Sequence, residues 1–238
     1  KPVMRTLDEA GLLDLWERGQ DRHPIDRALL LCAWARPDVA PERFAQLPLG
    51  VVNTGLLRMR AALFGARVEV QLDCEHCGEH LELALDINPL LADATTQDER
   101  ADVELQGFRF RVPHSRDLAA LAHETDAQTA ALHLLERCCV ARPDGPTALA
   151  DVLSEAEEQL EAADPLADLR LGVACETCGQ TTQASLDAGS LLWDDVRNHA
   201  RGLLGQVHSL AQAYGWTEGE VLALSPARRA AYLDLLRV

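Results

Sequence analysis

Two short stretches, Cys74-Glu75-His76-Cys77-Gly78 and Cys175-Glu176-Thr177-Cys178-Gly179, decide how this chain folds. Each is a C-x-x-C-G knuckle, a tight turn that presents two thiolates to one side and ends at a glycine able to adopt positive φ. Four such sulfurs complete a tetrahedral zinc shell, and two matching knuckles are a far stronger signal than one. We therefore predict that one structural Zn²⁺ is held by Cys74, Cys77, Cys175 and Cys178.

Other uses of these cysteines remain open. The pairs could form disulfides, although no apolar leader is visible and each knuckle lacks the βα setting of a thioredoxin motif. They could also bind two separate metals, with His76 or His80 as a third ligand. The remaining cysteines, Cys32, Cys138 and Cys139, lie in apolar stretches and are expected to pack as small hydrophobic residues.

Alternating sequences surround both knuckles. Apolar residues at every second position precede and follow the first knuckle over residues 67–87, which predicts a hairpin with one apolar face. The same layout recurs over 169–187, where the return arm is less hydrophobic and is expected to be an edge strand. The two hairpins predict a zinc ribbon split into two parts, residues 67–87 and 166–190.

Helical periodicity dominates the rest of the chain. In the N-terminal region, residues 1–66, helices are predicted over 26–36 and 49–64, the second ending at Gly65. Arg58 and Arg60 of the second helix are expected to be solvated.

An insertion, residues 88–165, separates the two hairpins. Its predicted elements are, in order, an acidic loop around Asp93 to Asp102, a hairpin turning near Gln106-Gly107, a helix over 116–140 capped by Ser115, and an acidic helix over 147–162.

The C-terminal region, residues 191–238, carries several closely spaced cap signals. Ser190 is expected to cap a helix over 191–214 that ends at Gly215. Thr217 begins a capping box, and Ser225-Pro226 supplies an N-cap followed by a proline at the first helical position. The predicted class is therefore α+β, mainly helical, with a split zinc ribbon and an inserted hairpin plus helices.

Charge narrows the choice of partner. The 238-residue chain has 38 acidic against 22 basic residues and a formal net charge of −16. A zinc-ribbon nucleic-acid-associated factor is the main alternative function, but such proteins carry a basic surface that replaces counterions on phosphate. No stretch approaches the length of apolar sequence that spans a membrane. We therefore expect protein partners rather than nucleic acid, membrane or a small-molecule substrate.

Sequence features of an enzyme are not found. Catalytic zinc needs an open coordination position, which four cysteine ligands do not leave. The histidines are scattered, and none lies in an H-E-x-x-H motif or a nucleophile elbow. Phosphate-loop and dinucleotide fingerprints are also absent from the sequence. We therefore predict a non-enzymatic protein.

The ordered pieces of the chain resemble a known family. The most specific part is the ending, which combines Val207-His208-Ser209-Leu210-Ala211, Tyr214-Gly215-Trp216 and Arg228-Arg229 followed by Tyr232. Together with the two knuckles and the hairpin over 107–113, this ending resembles the phage T4-type baseplate hub assembly chaperone family of contractile phage tails and extracellular contractile injection systems. Relatives often have a second histidine where this chain has Gly215, which argues against a histidine-based site at His208.

The resemblance implies an assembly factor or structural component that binds other baseplate or hub proteins. It also implies a bacterial or infected-host cytoplasm, with the assembled particle as a further location, and the cysteine usage fits a reducing cytoplasm. Aromatic and arginine side chains concentrate binding energy at protein interfaces, so the C-terminal region is the expected partner surface. The candidate residues are His208, Tyr214, Trp216, Arg228, Arg229 and Tyr232. The competing interpretation is that the aromatic rings fill a small local core.

Overall fold

Helices alternate with three small antiparallel sheets in the computed structural model, which describes residues 8–93 and 102–236. The α+β class is therefore confirmed, while most of the predicted acidic loop, residues 94–101, lies outside the described residues. The helices are α1 (Glu9–Gly19), α2 (Pro24–Ala35), α3 (Pro41–Phe44), α4 (Leu49–Phe64), α5 (Asn88–Asp93), α6 (Ser115–Leu121), α7 (Ala127–Cys138), α8 (Leu153–Ala163), α9 (Ala188–Tyr214), α10 (Glu218–Leu222) and α11 (Pro226–Leu235). The strands are β1 (Arg67–Asp73), β2 (His80–Asp86), β3 (Asp102–Leu105), β4 (Phe108–Arg111), β5 (Cys139–Ala141), β6 (Arg170–Ala174) and β7 (Thr181–Ser185).

The main core lies between α2, α4 and the first half of α9. The apolar faces of these helices meet there around Leu31, Leu56 and Leu192. The bases of both cysteine-bearing hairpins insert into the same core through Val68, Ile87, Leu169 and Leu186. Both hairpins therefore start from one packed core.

Helix α4 spans the predicted residues and ends at Gly65, which has φ 92°. The expectation that Arg60 is solvated is wrong, since only 6% of this residue is exposed. Its Nε lies 2.9 Å from Oδ2 of Asp195, and its Nη1 donates to the carbonyl oxygens of Gly65 and Arg67 at 2.6 and 2.8 Å. The buried guanidinium therefore ties the end of α4 and the start of β1 to α9.

The beginning of α4 is fixed by a residue far along the chain. Pro48 offers no side chain to cap the helix, and Oδ2 of the buried Asp164 accepts a hydrogen bond from the Gly50 amide at 3.0 Å instead. Asn53 of the same helix donates its amide to the carbonyl oxygen of Leu166 at 2.8 Å. These contacts fix the segment that leads into the second cysteine-bearing hairpin.

The insertion has a hydrophobic core of its own, made by the β3-β4-β5 sheet, α7 and α8. Its hairpin turns at Gln106-Gly107 as predicted, and both turn residues adopt positive φ, 49° and 85°. The expected helix over 116–140 is instead two helices, α6 and α7. Asp126 explains the break, because its side chain accepts the Thr129 amide at 2.8 Å and starts α7.

Two further boundary predictions in the insertion are wrong. His114 occupies the N-cap position of α6, whereas Ser115 is the first helical residue and is buried. The acidic helix begins later than expected, since residues 149–152 form a 3₁₀ turn before α8 starts at Leu153.

A buried carboxylate joins the strands and helices of the insertion. Asp117 is fully buried and accepts hydrogen bonds from Arg111 at 2.6 and 2.9 Å, from Nε of Arg137 at 3.1 Å and from the His114 amide at 3.1 Å. Burial by itself raises the pKa of the Asp117 carboxyl, but the hydrogen bonds and charge of Arg111 outweigh burial and hold that pKa below its ordinary value.

Helix α9, with 27 residues, runs from the main core into the C-terminal region, where α1, α10 and α11 pack on it. Asp187 caps this helix, because its Oδ1 accepts the amides of Gly189 and Ser190, so the prediction of Ser190 as the cap is wrong. The end at Gly215, the capping box at Thr217 and the cap at Ser225 are confirmed. No described helix, α9 included, combines the length and the apolar character needed to cross a membrane.

Candidate metal centre

The two knuckles lie at the tips of two separate antiparallel hairpins. Strands β1 and β2 pair over their whole length, with Val68 opposite Leu85 near the base and Asp73 opposite His80 at the tip. Strands β6 and β7 pair in the same manner as a second two-stranded sheet. Both predicted hairpins are therefore confirmed, and no described strand pairing links one to the other.

The knuckles have nearly the same backbone geometry. Gly78 donates its amide to the carbonyl oxygen of Cys74 at 2.8 Å, and Gly179 donates to that of Cys175 at the same distance. Both glycines adopt positive φ, 75° and 71°, a conformation that costs other residues energy. The glycine after each cysteine pair is thus required by the turn that aims the sulfurs.

The four sulfur atoms form one cluster between the hairpin tips. Sγ of Cys74 lies 3.7 Å from Sγ of Cys178, and Sγ of Cys77 lies 3.7 Å from Sγ of Cys175. All four sulfurs lie within 4.8 Å of one another. Sulfurs bound at about 2.3 Å to one zinc ion in a regular tetrahedron would be about 3.8 Å apart. The cluster therefore has the dimensions of a single four-sulfur metal site.

The alternative arrangements fit less well. All four thiols are free, and their cross-hairpin distances are well beyond the length of about 2.05 Å of a disulfide bond. His76 is exposed, and Nδ1 of His80 lies 2.9 Å from Asp73 instead of joining the sulfurs. That hydrogen bond to Asp73 raises the pKa of His80. Within residues 8–93 and 102–236, the four cysteines are the one cluster of at least three potential metal ligands.

Thr182 connects the second hairpin to the first knuckle. This residue is 1% exposed, and its hydroxyl donates to Sγ of Cys74 at 3.4 Å and accepts the Glu75 amide at 3.3 Å. The Thr182 hydroxyl, followed by the backbone amide of His76, lowers the pKa of the Cys74 thiol to about 6. Cys74 therefore ionises readily inside the cluster.

The pKa of the Cys77 thiol is shifted in the opposite direction. The Glu79 amide by itself lowers the pKa of Cys77, but partial desolvation and the adjacent cysteines outweigh it, and the pKa rises to about 12. Ionisation of one thiol, that of Cys74, is therefore favoured. Ionisation of a second thiol beside it is disfavoured. A divalent cation reverses this balance, because a metal-bound thiol is deprotonated.

The geometry fits a structural metal centre rather than a catalytic one. Cys74 and Cys175 are 2% and 1% exposed, whereas Cys77 is exposed and Cys178 is half-buried. Four sulfur ligands fill the coordination shell of zinc and leave no position for a reacting water molecule. The arrangement can thus clamp two hairpins together.

The aromatic candidates for the partner surface lie together at the end of α9. Tyr214 stacks on Trp216 with ring centroids 4.8 Å apart, and Tyr232 stands edge-on to both rings at 5.7 and 4.9 Å. His208 and Arg228 are exposed, as is Tyr214 at 39%. The rings pack on one another, and three candidates also present surface to solvent, so their role in partner binding stays a prediction.

Arg229 has a different environment from its neighbour. It is 1% exposed, and its guanidinium contacts Glu9 of α1, Oε1 of Gln206 at 3.0 Å and the carbonyl oxygen of Leu224 at 2.7 Å. These contacts join α1, α9 and the turn before α11. Because Arg229 is buried, its guanidinium has no exposed surface with which to contact a partner, unlike that of Arg228.

Sequence reasoning missed Thr182, although a signal was present. Thr182 and Leu81 each stand four residues after the second cysteine of their knuckle. The threonine in place of leucine at this position indicates a polar contact, which the structure shows to be the one with Cys74.

Comparison with known proteins does not show to which family this chain belongs. No family model, no curated protein and no solved structure matches the chain. The likeness to hub assembly chaperones therefore rests on the sequence motifs and stays a prediction.

Proposed function

We propose that Cys74, Cys77, Cys175 and Cys178 hold one structural Zn²⁺, which turns the two hairpins into a split zinc ribbon. The observation that carries this proposal is the cross-hairpin sulfur separation of 3.7 Å, measured twice in one cluster. All-cysteine tetrahedral sites are the usual structural sites of zinc. The knuckle glycines and the buried Thr182 supply the backbone turn and the supporting hydrogen bond that such sites need.

Elemental analysis of purified protein tests the metal directly. We expect one zinc per chain, sulfur-only ligation and zinc–sulfur distances of about 2.3 Å by X-ray absorption. Cys175→Ser should lose the metal, whereas Cys139→Ser, which changes a half-buried cysteine outside the cluster, should keep it. Protein without zinc, or a Cys175→Ser variant that binds zinc as tightly as wild type, would contradict the proposal.

We propose that the chain is a non-enzymatic assembly factor or structural component of the baseplate or hub of a contractile phage tail or contractile injection system. The support is the resemblance of the ending, whose Y-x-W and R-R-x-x-Y motifs pack as one unit around Tyr214, Trp216 and Tyr232. It acts through contacts with other baseplate or hub proteins, and the exposed His208, Tyr214 and Arg228 are the best placed to make them.

Charge favours this function over a nucleic-acid-associated one. A net charge of −16 opposes approach to a phosphate backbone, whereas it favours a basic protein surface. We expect duplex and single-stranded nucleic acid to remain unbound at physiological salt. Tight, salt-sensitive binding in a titration would support the nucleic-acid alternative instead.

Charge reversal at Arg228 tests the partner surface. Arg228→Glu should keep zinc and thermal stability but weaken recovery of baseplate or hub proteins in a pull-down and reduce particle assembly. Arg58→Glu, at an exposed arginine of α4, is the matched control and should assemble normally. If Arg228→Glu assembles as well as this control, Arg228 is not part of the interface.

A further inference from the structure

The four sulfurs of the cluster differ in their surroundings. Cys74 and Cys175 are almost fully buried, whereas Cys77 is exposed and Cys178 is half-buried. Cys74 also accepts a hydrogen bond from the Thr182 hydroxyl, which occupies a lone pair of its sulfur. A metal-bound cysteine is a thiolate whatever the pKa of its free thiol, so with zinc in place the four sulfurs differ in exposure rather than in charge. Oxidation of such thiolates follows their exposure. Cys77 is therefore the ligand most open to an oxidant from solvent.

A close partner for an oxidised Cys77 lies on the other hairpin. Sγ of Cys175 lies 3.7 Å from Sγ of Cys77, and disulfide formation requires this separation to shorten to about 2.05 Å. A second cross-hairpin pair, Cys74 with Cys178, has the same separation but includes the sulfur that accepts the Thr182 hydrogen bond. The Cys77–Cys175 pair thus combines an accessible sulfur with a close sulfur on the other hairpin.

We propose that the metal centre is also an oxidation site, at which hydrogen peroxide attacks Cys77 and Cys175 then closes a disulfide between the hairpins. This inference rests on the proposed zinc centre. The link between the two hairpins survives oxidation, because a covalent bond replaces the metal.

The chemistry needs only the thiolates and the peroxide. The Cys77 thiolate attacks one peroxide oxygen, the O–O bond breaks, and the departing hydroxide takes a proton to become water, leaving a sulfenic acid on Cys77. The Cys175 thiolate then attacks the Cys77 sulfur and displaces hydroxide, which takes a second proton from solvent and leaves as water. The two sulfurs together supply the two electrons that reduce the peroxide. Zinc loses two of its four ligands and is released.

Limited oxidation of zinc-loaded protein tests the assignment. Zinc content is measured first, hydrogen peroxide is added, released zinc is followed with a chromogenic chelator, and disulfides are mapped by mass spectrometry without reduction. We expect one Cys77–Cys175 disulfide for each zinc released, with both changes reversed by a thiol reductant and added zinc. Cys139→Ser should behave as wild type, because Cys139 lies outside the cluster.

A second variant and a metal-free sample separate the possible failures. Thr182→Val removes the donor to Cys74 and should shift part of the oxidation to the Cys74–Cys178 pair. Disulfides confined within a knuckle would overturn the inference. Free glutathione in a parallel sample reports whether the peroxide is active. If that glutathione is fully oxidised while zinc stays bound to the protein, the inference is also overturned. Protein purified without zinc would refute the metal proposal, and mapping its disulfides would still show whether Cys77 and Cys175 are the pair that reacts.

Discussion

The burial of Arg229 leads to a stability prediction with a matched control beside it. Methionine at this position keeps the apolar length of the side chain but removes every hydrogen-bond donor. The guanidinium of Arg229 now joins three helices, and three groups would lose it as a donor: Glu9, Gln206 and the Leu224 carbonyl. Arg229→Met should therefore destabilise the C-terminal region.

The magnitude follows from these contacts. A hydrogen bond to a charged group contributes about 1.5–3 kcal/mol, and a buried carbonyl left without a donor costs about 1–3 kcal/mol. The Glu9 side chain is 34% exposed, so water replaces part of what it loses and these contributions do not add in full. We expect Arg229→Met to lower the free energy of unfolding by about 3 kcal/mol, at the lower end for breaking a buried ion pair.

Urea unfolding followed by circular dichroism and tryptophan fluorescence measures this change. Arg228→Met is the control, because Arg228 is the adjacent residue of the same helix and is exposed. A surface change of this kind should alter the free energy of unfolding by no more than about 0.5 kcal/mol. Equal effects of the two variants would refute the assignment of Arg229 as a residue that holds the helices together.

Three further predictions concern metal, pH and the main core. Removing the metal with a strong chelator should lower the midpoint of thermal unfolding, and added Zn²⁺ should restore it; an unchanged midpoint after confirmed metal loss would contradict a structural role. Asp117→Asn should cost about 3 kcal/mol at neutral pH, because the charges of Arg111 and Arg137 lose their buried counter-ion. The pKa of Asp117 is lower in the folded state than in the unfolded chain, where it is about 3.9. The stability that the ionised carboxylate contributes is therefore complete above about pH 3.9 and is lost as the pH falls through the folded-state pKa. The gap between wild type and Asp117→Asn in urea unfolding should therefore close in acid, and a gap independent of pH would count against this account. Arg60→Met should also lower the thermal midpoint, whereas the exposed Arg58→Met should leave it unchanged; similar midpoints for both would show that the buried contacts of Arg60 contribute little.

The parts of the fold that the sequence predicts correctly depend on local signals. The C-x-x-C-G pattern, the alternation around each knuckle and the turn at Gln106-Gly107 involve residues close together in the chain, and the structure confirms all three. Pairing of the two knuckles is a long-range prediction that also holds, because a closed four-sulfur shell needs ligands from both.

The errors at Arg60 and Arg229 arise where a distant residue decides the outcome, whereas the misplaced caps and the helix break at Asp126 are decided by neighbouring side chains. Helical spacing predicts a surface position for Arg60, yet its side chain is buried through contacts with Asp195 and with the carbonyl groups of Gly65 and Arg67. Arg228 and Arg229 are neighbours in an R-R pair, and Arg229 is the buried one because Glu9, Gln206 and the Leu224 carbonyl contact its guanidinium. Such tertiary hydrogen bonds leave no periodic trace in the sequence.

The separation of the two knuckles along the chain has a consequence for synthesis. Cys77 precedes its cluster neighbour Cys175 by 98 residues. At a translation rate of about 5–20 residues per second, the first knuckle leaves the ribosome about 5–20 s before the second exists. During that interval only two of the four ligands are available, so the first hairpin must wait as an unpaired dithiol. Completion of the four-sulfur site is therefore a late event, timed by the length of the insertion between the knuckles.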